Sequence, residues 1–260
     1  MNEEKLESLT KWFHEYANTF RDRQPVLPFA MQLKLNHSLR VVQDMERIAA
    51  ALGWPAEEIR TAKALGLLHD VARFSQYAEF GTFHDPRSVN HGERGWQICV
   101  DMKLLSDCSP EDRQRILDGV RYHNRRTIPP ETSAEALRFV KLIRDADKLD
   151  IFRIVDTAIE KNQFLDNPEI LLHVEIDGPP TPALLDELEQ TRSASYKYLK
   201  TLADFLLVQL YWVYDMNYAP TIRCFSERRT LDRIAGRLPD TDRIRRIVQE
   251  ARAYVEAQAK

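Results

Sequence analysis

Cysteine is scarce in this sequence, with only three residues in a chain of 260. Cys99, Cys108 and Cys224 are far apart and odd in number, and no two of them form a CxxC pair. This argues against both a disulfide-stabilised fold and a zinc site built from thiolates. It favours a reducing environment such as the cytoplasm.

An excess of either charge is also missing, since 37 basic and 40 acidic residues leave a formal net charge of -3. No extended surface for nucleic acid or membranes is expected, because such surfaces need a strong basic excess. The longest apolar stretch, residues 203–214, is too short to span a bilayer. The first residues, MNEEKLESLTKW, are acidic and lack the apolar segment of a secretory signal. We therefore predict a soluble, cytoplasmic protein.

Alternating strand patterns are nearly absent, and only eight residues are glycine. Apolar residues instead recur at helical spacing almost everywhere, which predicts an all-α fold. The predicted helices cover about residues 4–22, 30–52, 55–73, 110–123 and 133–161, and another begins at His91. Beyond a Pro/Gly-rich bend at residues 177–180, we predict four further helices up to Ala259.

Two segments of this pattern are unusual. The predicted helix that contains TAKALGLLHDVA is apolar on nearly every side, so we expect it at the centre of the fold. Residues 74–90, which include His84 and Asp85, predict a long irregular connection, and such connections are often functional. Asn90 and Glu93 have the spacing of a capping box for the helix that follows.

Histidines and one aspartate at inward helical positions form the candidate site. His37 is in line with the apolar residues of its helix at three- and four-residue spacing. His69 and Asp70 lie near the end of the buried helix, where a carboxylate is costly unless it is paired or bound to a metal. His123 lies on an apolar face in the same way, one turn after Gly119. Each histidine alone has a surface or packed-core role as its alternative, but the set favours a metal site.

A further ligand is expected from the segment RDADK at residues 144–148. Asp147 shares a helix face with the apolar positions 140, 143, 151 and 154. Asp145 instead has Lys141 and Lys148 at helical spacing, which suits a solvated position or one that supports a ligand. Periodicity therefore favours Asp147 as the ligand.

In this order, His37, the pair His69-Asp70 and Asp147 resemble the motif of the HD-domain superfamily of metal-dependent phosphohydrolases. The matching segments are LNHSLRV, LGLLHDVAR and IRDADKLD, and the resemblance covers roughly residues 30–155. His91 lies between the HD pair and the late aspartate, and so does His123. This looks like the subset of the superfamily that holds two metals with two additional histidines.

The layout is also similar to that of bacterial symmetrical diadenosine-tetraphosphate hydrolases. The segment YAEFGTFHDPRSVNH and the long C-terminal part depart from those short enzymes. The resemblance implies a helical metal-binding core of the HD type at residues 1–165. Residues 166–260 are then expected to form a C-terminal helical extension that packs on the core as one integrated unit.

A set of imidazoles and carboxylates without thiolates suits Fe, Mn, Co, Ni or Zn, and we expect one or two divalent ions per chain. Two ions would share Asp70 as a bridge. The candidate metal ligands are, in chain order, His37, His69, Asp70, His91, His123 and Asp147.

Three cationic residues near these ligands are candidates for binding the substrate. Arg73 shares a helix face with the HD pair and either holds a phosphate or forms an ion pair. Lys148 follows the late aspartate directly and either binds a phosphate or pairs with Asp145. Arg125 is a candidate for the rim of the site. Catalytic roles are expected for Asp70, Arg73 and Lys148.

The superfamily resemblance predicts a metal-dependent phosphohydrolase that uses a metal-activated water on a small phosphorylated substrate, above all a nucleotide. Two other functions stay open. One is a di-iron oxygenase, because some relatives of this scaffold use two irons and dioxygen on polyol substrates. The other is a regulatory module that binds a nucleotide without turnover. The expected partner is a small molecule, and assembly into a homo-oligomer also stays open.

Overall fold

The computed structural model of the protein describes residues 1–21, 25–193 and 196–259. The predicted all-α fold is confirmed in these ranges, which contain no β-strand and only an isolated bridge between Glu175 and Thr201. Among the described helices, none combines the length and the apolar surface that crossing a membrane requires.

The first compact unit consists of Met1–Asp150. Its chain is helical along most of its length, and α7 runs past its end. The helices are α1 (Glu3–Asn18), α2 (Phe29–Ala51), α3 (Ala56–Leu68), α4 (Ala72–Phe80), α5 (His91–Asp101), α6 (Pro110–Tyr122) and α7 (Ala134–Glu160).

The central helix of this unit is α3, which packs against α1, α2 and α6. Leu65 and Leu68 are fully buried, as the all-round apolar sequence of this helix predicts. Two glycines allow the neighbouring helices to come close. A Cβ atom on Gly66 would lie 3.2 Å from the Cα atom of Val42 in α2, and one on Gly119 in α6 would lie 2.4 Å from the side chain of Leu65. This close packing brings the ends of α3 and α6 side by side.

The structure corrects the predicted helix over residues 55–73. The observed helix α3 ends at Leu68, before His69. His69 and Asp70 lie in a turn, and α4 begins at Ala72. The turn is tight, because the backbone N–H of Arg73 donates to the carbonyl of Asp70 at 2.9 Å. So short a turn leaves the helical spacing of apolar residues nearly intact, and the sequence pattern therefore does not reveal it.

The predicted irregular connection over residues 74–90 is wrong in its first half. That half belongs to α4, whose Phe74 and Gln76 are buried. Gly81 ends this helix with a left-handed φ of 64°, a conformation that glycine adopts readily. The irregular part is therefore limited to residues 81–90, which we call the connecting segment.

Most other predicted helix ends in this unit agree with the structure. The side chain of Asn90 caps α5 by accepting a hydrogen bond from the backbone N–H of Glu93 at 3.0 Å. Ser109 caps α6 in the same way. The predicted end of the first helix at residue 22 lies outside the described residues.

The second compact unit consists of Ile151–Lys260. After α7 its helices are α8 (Pro182–Thr191), α9 (Leu202–Tyr211), α10 (Ala219–Glu227), α11 (Thr230–Ala235) and α12 (Asp242–Gln258). Beyond the bend at residues 177–180, the described residues therefore contain five α-helices where four were predicted. The predicted boundary after residue 165 and the predicted packing of the extension on the core stay predictions.

Candidate metal centre

Five parts of the first unit bring polar side chains to one place: the middle of α2, the turn after α3, the start of α5, the end of α6 and the middle of α7. These side chains belong to His37, His69, Asp70, His91, His123 and Asp147. The first five are buried, while the side chain of Asp147 is 20% exposed. The structure therefore brings together all six residues that the sequence predicts as ligands, and we call this cluster the candidate centre.

The first half-site is formed by His37, His69, Asp147 and one oxygen of Asp70. The Nε2 atoms of His37 and His69 are 3.2 Å apart. Oδ1 of Asp147 lies 3.2 Å from Nε2 of His37 and 3.9 Å from Nε2 of His69. Oδ2 of Asp70 completes the half-site at 3.5 and 3.8 Å from the same two nitrogens.

The second half-site is formed by His91, His123 and the other oxygen of Asp70. The Nε2 atoms of His91 and His123 are 3.0 Å apart. Oδ1 of Asp70 lies 3.5 Å from Nε2 of His91 and 3.7 Å from Nε2 of His123. Asp70 thus presents one carboxylate oxygen to each half-site, which is the arrangement of a bridging ligand.

Each of the four histidines has a hydrogen-bond acceptor at its Nδ1 atom. Nδ1 of His69 donates to the carbonyl of Gly66 at 2.7 Å, and Nδ1 of His123 donates to that of Val120 at 2.8 Å. The acceptors for His37 and His91 are the carboxylates of Asp150 and Asp85, at 2.8 and 2.6 Å.

A neutral imidazole that donates from Nδ1 has an unshared electron pair at Nε2. When both imidazoles of a half-site are neutral, two such electron pairs face each other at close range, and a shared cation satisfies both. The residues of the candidate centre therefore fit a metal ion in each half.

Burial keeps two of the histidines in the neutral form that binds metals. Mainly through loss of solvation, the pKa of His69 falls to about 3 and that of His91 to about 4. Burial also acts to lower the pKa of His37, but its hydrogen bonds with Asp147 and Asp150 outweigh this and raise it.

The carboxylates of the centre stay ionised. Burial by itself raises the pKa of Asp70, but Lys34, His69 and Arg73 hold it well below its usual range. Burial acts on Asp147 in the same direction, and its hydrogen bond with His37 more than compensates, so its pKa is also lowered. Anionic oxygens beside neutral imidazoles are the donor set that divalent transition metals bind.

Residues 35–151 match the family model of the HD domain. This part of the chain is an HD domain. The match confirms the resemblance to the HD superfamily of metal-dependent phosphohydrolases and covers all six residues of the candidate centre. No curated protein and no solved structure matches the chain. The two-metal subset and the ligand role of each residue stay predictions.

Asp150 is a residue of the HD domain that sequence reasoning missed. Its Oδ2 accepts from Nδ1 of His37, and its two oxygens accept from Nε and Nη2 of Arg40 at 2.6 and 2.9 Å. Asp150 follows Asp147 by three residues in α7, and Arg40 follows His37 by three residues in α2. This double i, i+3 spacing is a signal that could have identified the pair.

Replacing Asp150 with Ala should weaken metal binding in the first half-site of the HD domain by about 10- to 100-fold, because an acceptor that orients a ligand histidine is lost. Competition with a chelator measures the affinity. Asp118→Ala is the matched control, since Asp118 is a buried aspartate of α6 that pairs with Gln114. Equal metal affinities in the two variants would show that Asp150 does not orient His37.

Asp85, in the connecting segment, supports the second half-site of the HD domain. Its Oδ2 accepts from Nδ1 of His91 at 2.6 Å and from the amide of Asn124 at 3.1 Å. Its Oδ1 accepts from Arg73 at 3.1 Å and from Gln76 at 2.9 Å. The connecting segment is thereby attached directly to a candidate ligand.

The three predicted substrate-binding residues differ in their surroundings. Arg73 contacts Asp70, with its Nε atom 3.3 Å from Oδ1. Lys148 is buried in α7. Arg125 pairs with Glu93 and lies over the ring of Tyr122, 4.9 Å from its centroid. Among the described residues, no hydrogen bond or ion pair joins Arg125 to a candidate ligand. The substrate roles of all three stay predictions.

The structure corrects the solvated position that the sequence allowed for Asp145. Its side chain is completely buried, while Asp147 is the aspartate that faces His37. The neighbouring lysines suggest an outward face, but the aliphatic part of a lysine packs readily against a buried surface. Lys148 itself is buried.

Asp147→Asn should lower the metal content from about two ions to about one per chain and strongly reduce metal-dependent activity, because the first half-site loses its own carboxylate. Asp145→Asn should keep the metal content of the unmodified protein. Elemental analysis measures the metal, and thermal unfolding shows whether either variant loses structure. If Asp145→Asn loses more metal than Asp147→Asn, the ligand is Asp145 and not Asp147.

Proposed function

We propose that the protein is a metal-dependent phosphohydrolase that acts on a small phosphorylated substrate, with nucleotides as the leading class. The observation that carries this proposal is the position of Asp70 in an HD domain. Its two oxygens face two pairs of imidazole nitrogens, so the centre has the donors for two cations that share one carboxylate. Paired metal sites of this kind occur in phosphatases and nucleases.

Divalent cations bound in such a centre acidify water and neutralise negative charge on phosphoryl oxygens. The protein's own residues hold the metal-binding atoms in place and limit the access of solvent to them. Asp85 and Asp150 hold two of the imidazoles in orientation through Nδ1. The histidines are buried, whereas Lys34, Arg73 and Asp147 are 14%, 13% and 20% exposed. A substrate is expected to approach from the side of these three residues.

The balance of charge favours an anionic substrate over a neutral one. Asp70 and Asp85 contact Arg73, and Asp70 also contacts Lys34 at 2.8 Å. Together with Asp147, these side chains carry charges that nearly cancel. Two bound divalent cations would therefore leave an excess of positive charge. A phosphate group can neutralise that excess, which supports a phosphohydrolase over an oxygenase of neutral polyols.

The alternative is a di-iron oxygenase, because imidazoles and carboxylates suit iron as well as manganese or cobalt. A regulatory module that binds a nucleotide without turnover is a second alternative. A cytoplasmic location and assembly into homo-oligomers stay predictions.

The deciding experiment is a screen of phosphomonoesters, nucleotides and dinucleoside polyphosphates on protein reconstituted with Mn or Co. We expect phosphate release that a chelator abolishes and added metal restores. Oxygen uptake on polyols by an iron-loaded sample with an iron absorption band would instead support the oxygenase. Nucleotide binding without phosphate release would support the regulatory module.

A further inference from the structure

Lys34 is a charged residue beside the candidate centre that sequence reasoning did not identify. It lies in α2 three residues before His37, so the two side chains project from the same side of the helix. Its Nζ atom donates to Oδ2 of Asp70 at 2.8 Å, and its side chain is 14% exposed. Lys34 therefore places a positive charge on the shared carboxylate and still reaches solvent.

Lys34 also has N–H donors that are not used in hydrogen bonds. An ammonium group has three N–H donors. Across residues 1–21, 25–193 and 196–259, Lys34 makes a single hydrogen bond, the one to Asp70. Its Nζ atom also lies 5.5 Å from the centroid of the Phe83 ring. A contact with a ring face is attractive but leaves N–H donors available.

Arg73 is more fully occupied. Besides Asp70, it donates to Gln76 at 2.8 Å, to the carbonyl of Phe83 at 2.7 Å and to Asp85 at 3.1 Å. Within the described part of the chain, only its Nη2 atom has no partner. Two of its partners, Phe83 and Asp85, belong to the connecting segment. The main task of Arg73 is therefore to attach this segment to the centre.

We propose that Lys34, ahead of Arg73, is the side chain that binds the phosphoryl group of the substrate. This inference rests on the proposed function and specifies the chemistry of its substrate, a terminal phosphate monoester group with two negative charges. Its oxygens accept the two remaining N–H donors of Lys34, and charge-assisted hydrogen bonds of this type are strong. A neutral group would leave the charge of Lys34 without a partner on the substrate side.

The test measures binding of inorganic phosphate to Mn-loaded protein by calorimetry, together with metal content and thermal unfolding. Lys34→Met should weaken phosphate binding by about 10- to 100-fold, the loss expected for hydrogen bonds to a charged group. Lys34→Gln can still donate to Asp70 but has no charge, and it should show a similar loss. Lys34→Arg should recover most of the affinity, and metal content should stay unchanged in all three variants.

Two comparisons make the result specific. Lys63→Met is the matched control, because Lys63 is a lysine of α3 that pairs with Glu46 at 3.1 Å and contacts no residue of the centre. It should bind phosphate as the unmodified protein does. Arg73→Met should lose less phosphate affinity than Lys34→Met but more thermal stability, since it frees the connecting segment.

Unchanged phosphate binding in Lys34→Met and Lys34→Gln would overturn the assignment, and so would a loss of metal without a loss of phosphate affinity per metal. The second result would mean that Lys34 only holds Asp70 in place.

Failure of the proposed function can be distinguished from these two results. Phosphate binding that depends on Lys34, without hydrolysis of any ester, would support the assignment and contradict the hydrolase. An unmodified protein that binds no phosphate would contradict both proposals.

Discussion

Replacing Asp70 with Asn should remove metal from both half-sites and lower metal-dependent phosphate release by at least about 10³-fold. The reason is that both pairs of imidazoles face this one carboxylate, Oδ2 on the first side and Oδ1 on the second. Loss of the cations removes several kcal/mol of transition-state stabilisation, which corresponds to this change in rate. Elemental analysis and phosphate release are measured on the same reconstituted sample.

The control for this variant is Asp118→Asn, which changes another buried aspartate of the first unit. It should keep both metals and normal activity. Metal bound to the native state alone stabilises that state, so saturating metal should raise the melting temperature of the control but not that of Asp70→Asn. Full metal content in Asp70→Asn would show that Asp70 is not the bridging ligand.

The double variant His91→Ala/His123→Ala should bind about one metal ion per chain where the unmodified protein binds about two. The second half-site depends on these two imidazoles and on Oδ1 of Asp70, and a single carboxylate oxygen does not hold a transition metal firmly. The first half-site keeps its two histidines and Asp147. The expected loss is therefore limited to one ion.

The companion variant His37→Ala/His69→Ala should lose the other ion. Metal content after saturating reconstitution decides the outcome for both variants. If the unmodified protein and His91→Ala/His123→Ala each hold one ion, His91 and His123 are not metal ligands. Their place beside Asp70 would then favour roles in substrate binding or proton transfer, to which histidine is also suited.

Most of the candidate ligands could be predicted because each is indicated by the periodicity of its own helix, whereas His91 was predicted from the resemblance to the HD superfamily. His37 and His123 stand on apolar faces, and Asp70 is a charge at the end of a buried helix. The all-α fold could be predicted for the same reason, since helical periodicity is a local property. The turn at residues 69–71 interrupts this periodicity too briefly to be visible in the pattern.

The supporting residues were missed because their partners lie elsewhere in the chain. Lys34 and Asp70 are 36 positions apart, and Asp150 and His37 are 113 positions apart. A lysine on an amphipathic helix is typical of a solvated face, so only the fold shows that Lys34 reaches the HD pair. Of the two positions that the sequence allowed for Asp145, the solvated one was wrong: its lysine neighbours suggested solvent, whereas burial is decided by what packs against the helix.

The central claim is that the two half-sites act together on a phosphorylated substrate. The most direct test is to titrate metal-free protein with Mn and to measure phosphate release from the best substrate of the screen against metal bound per chain. The account predicts little activity up to about one ion per chain and a steep rise as the second ion binds, because both sides of Asp70 must be occupied. Full activity at one ion per chain, or none at two, would contradict it.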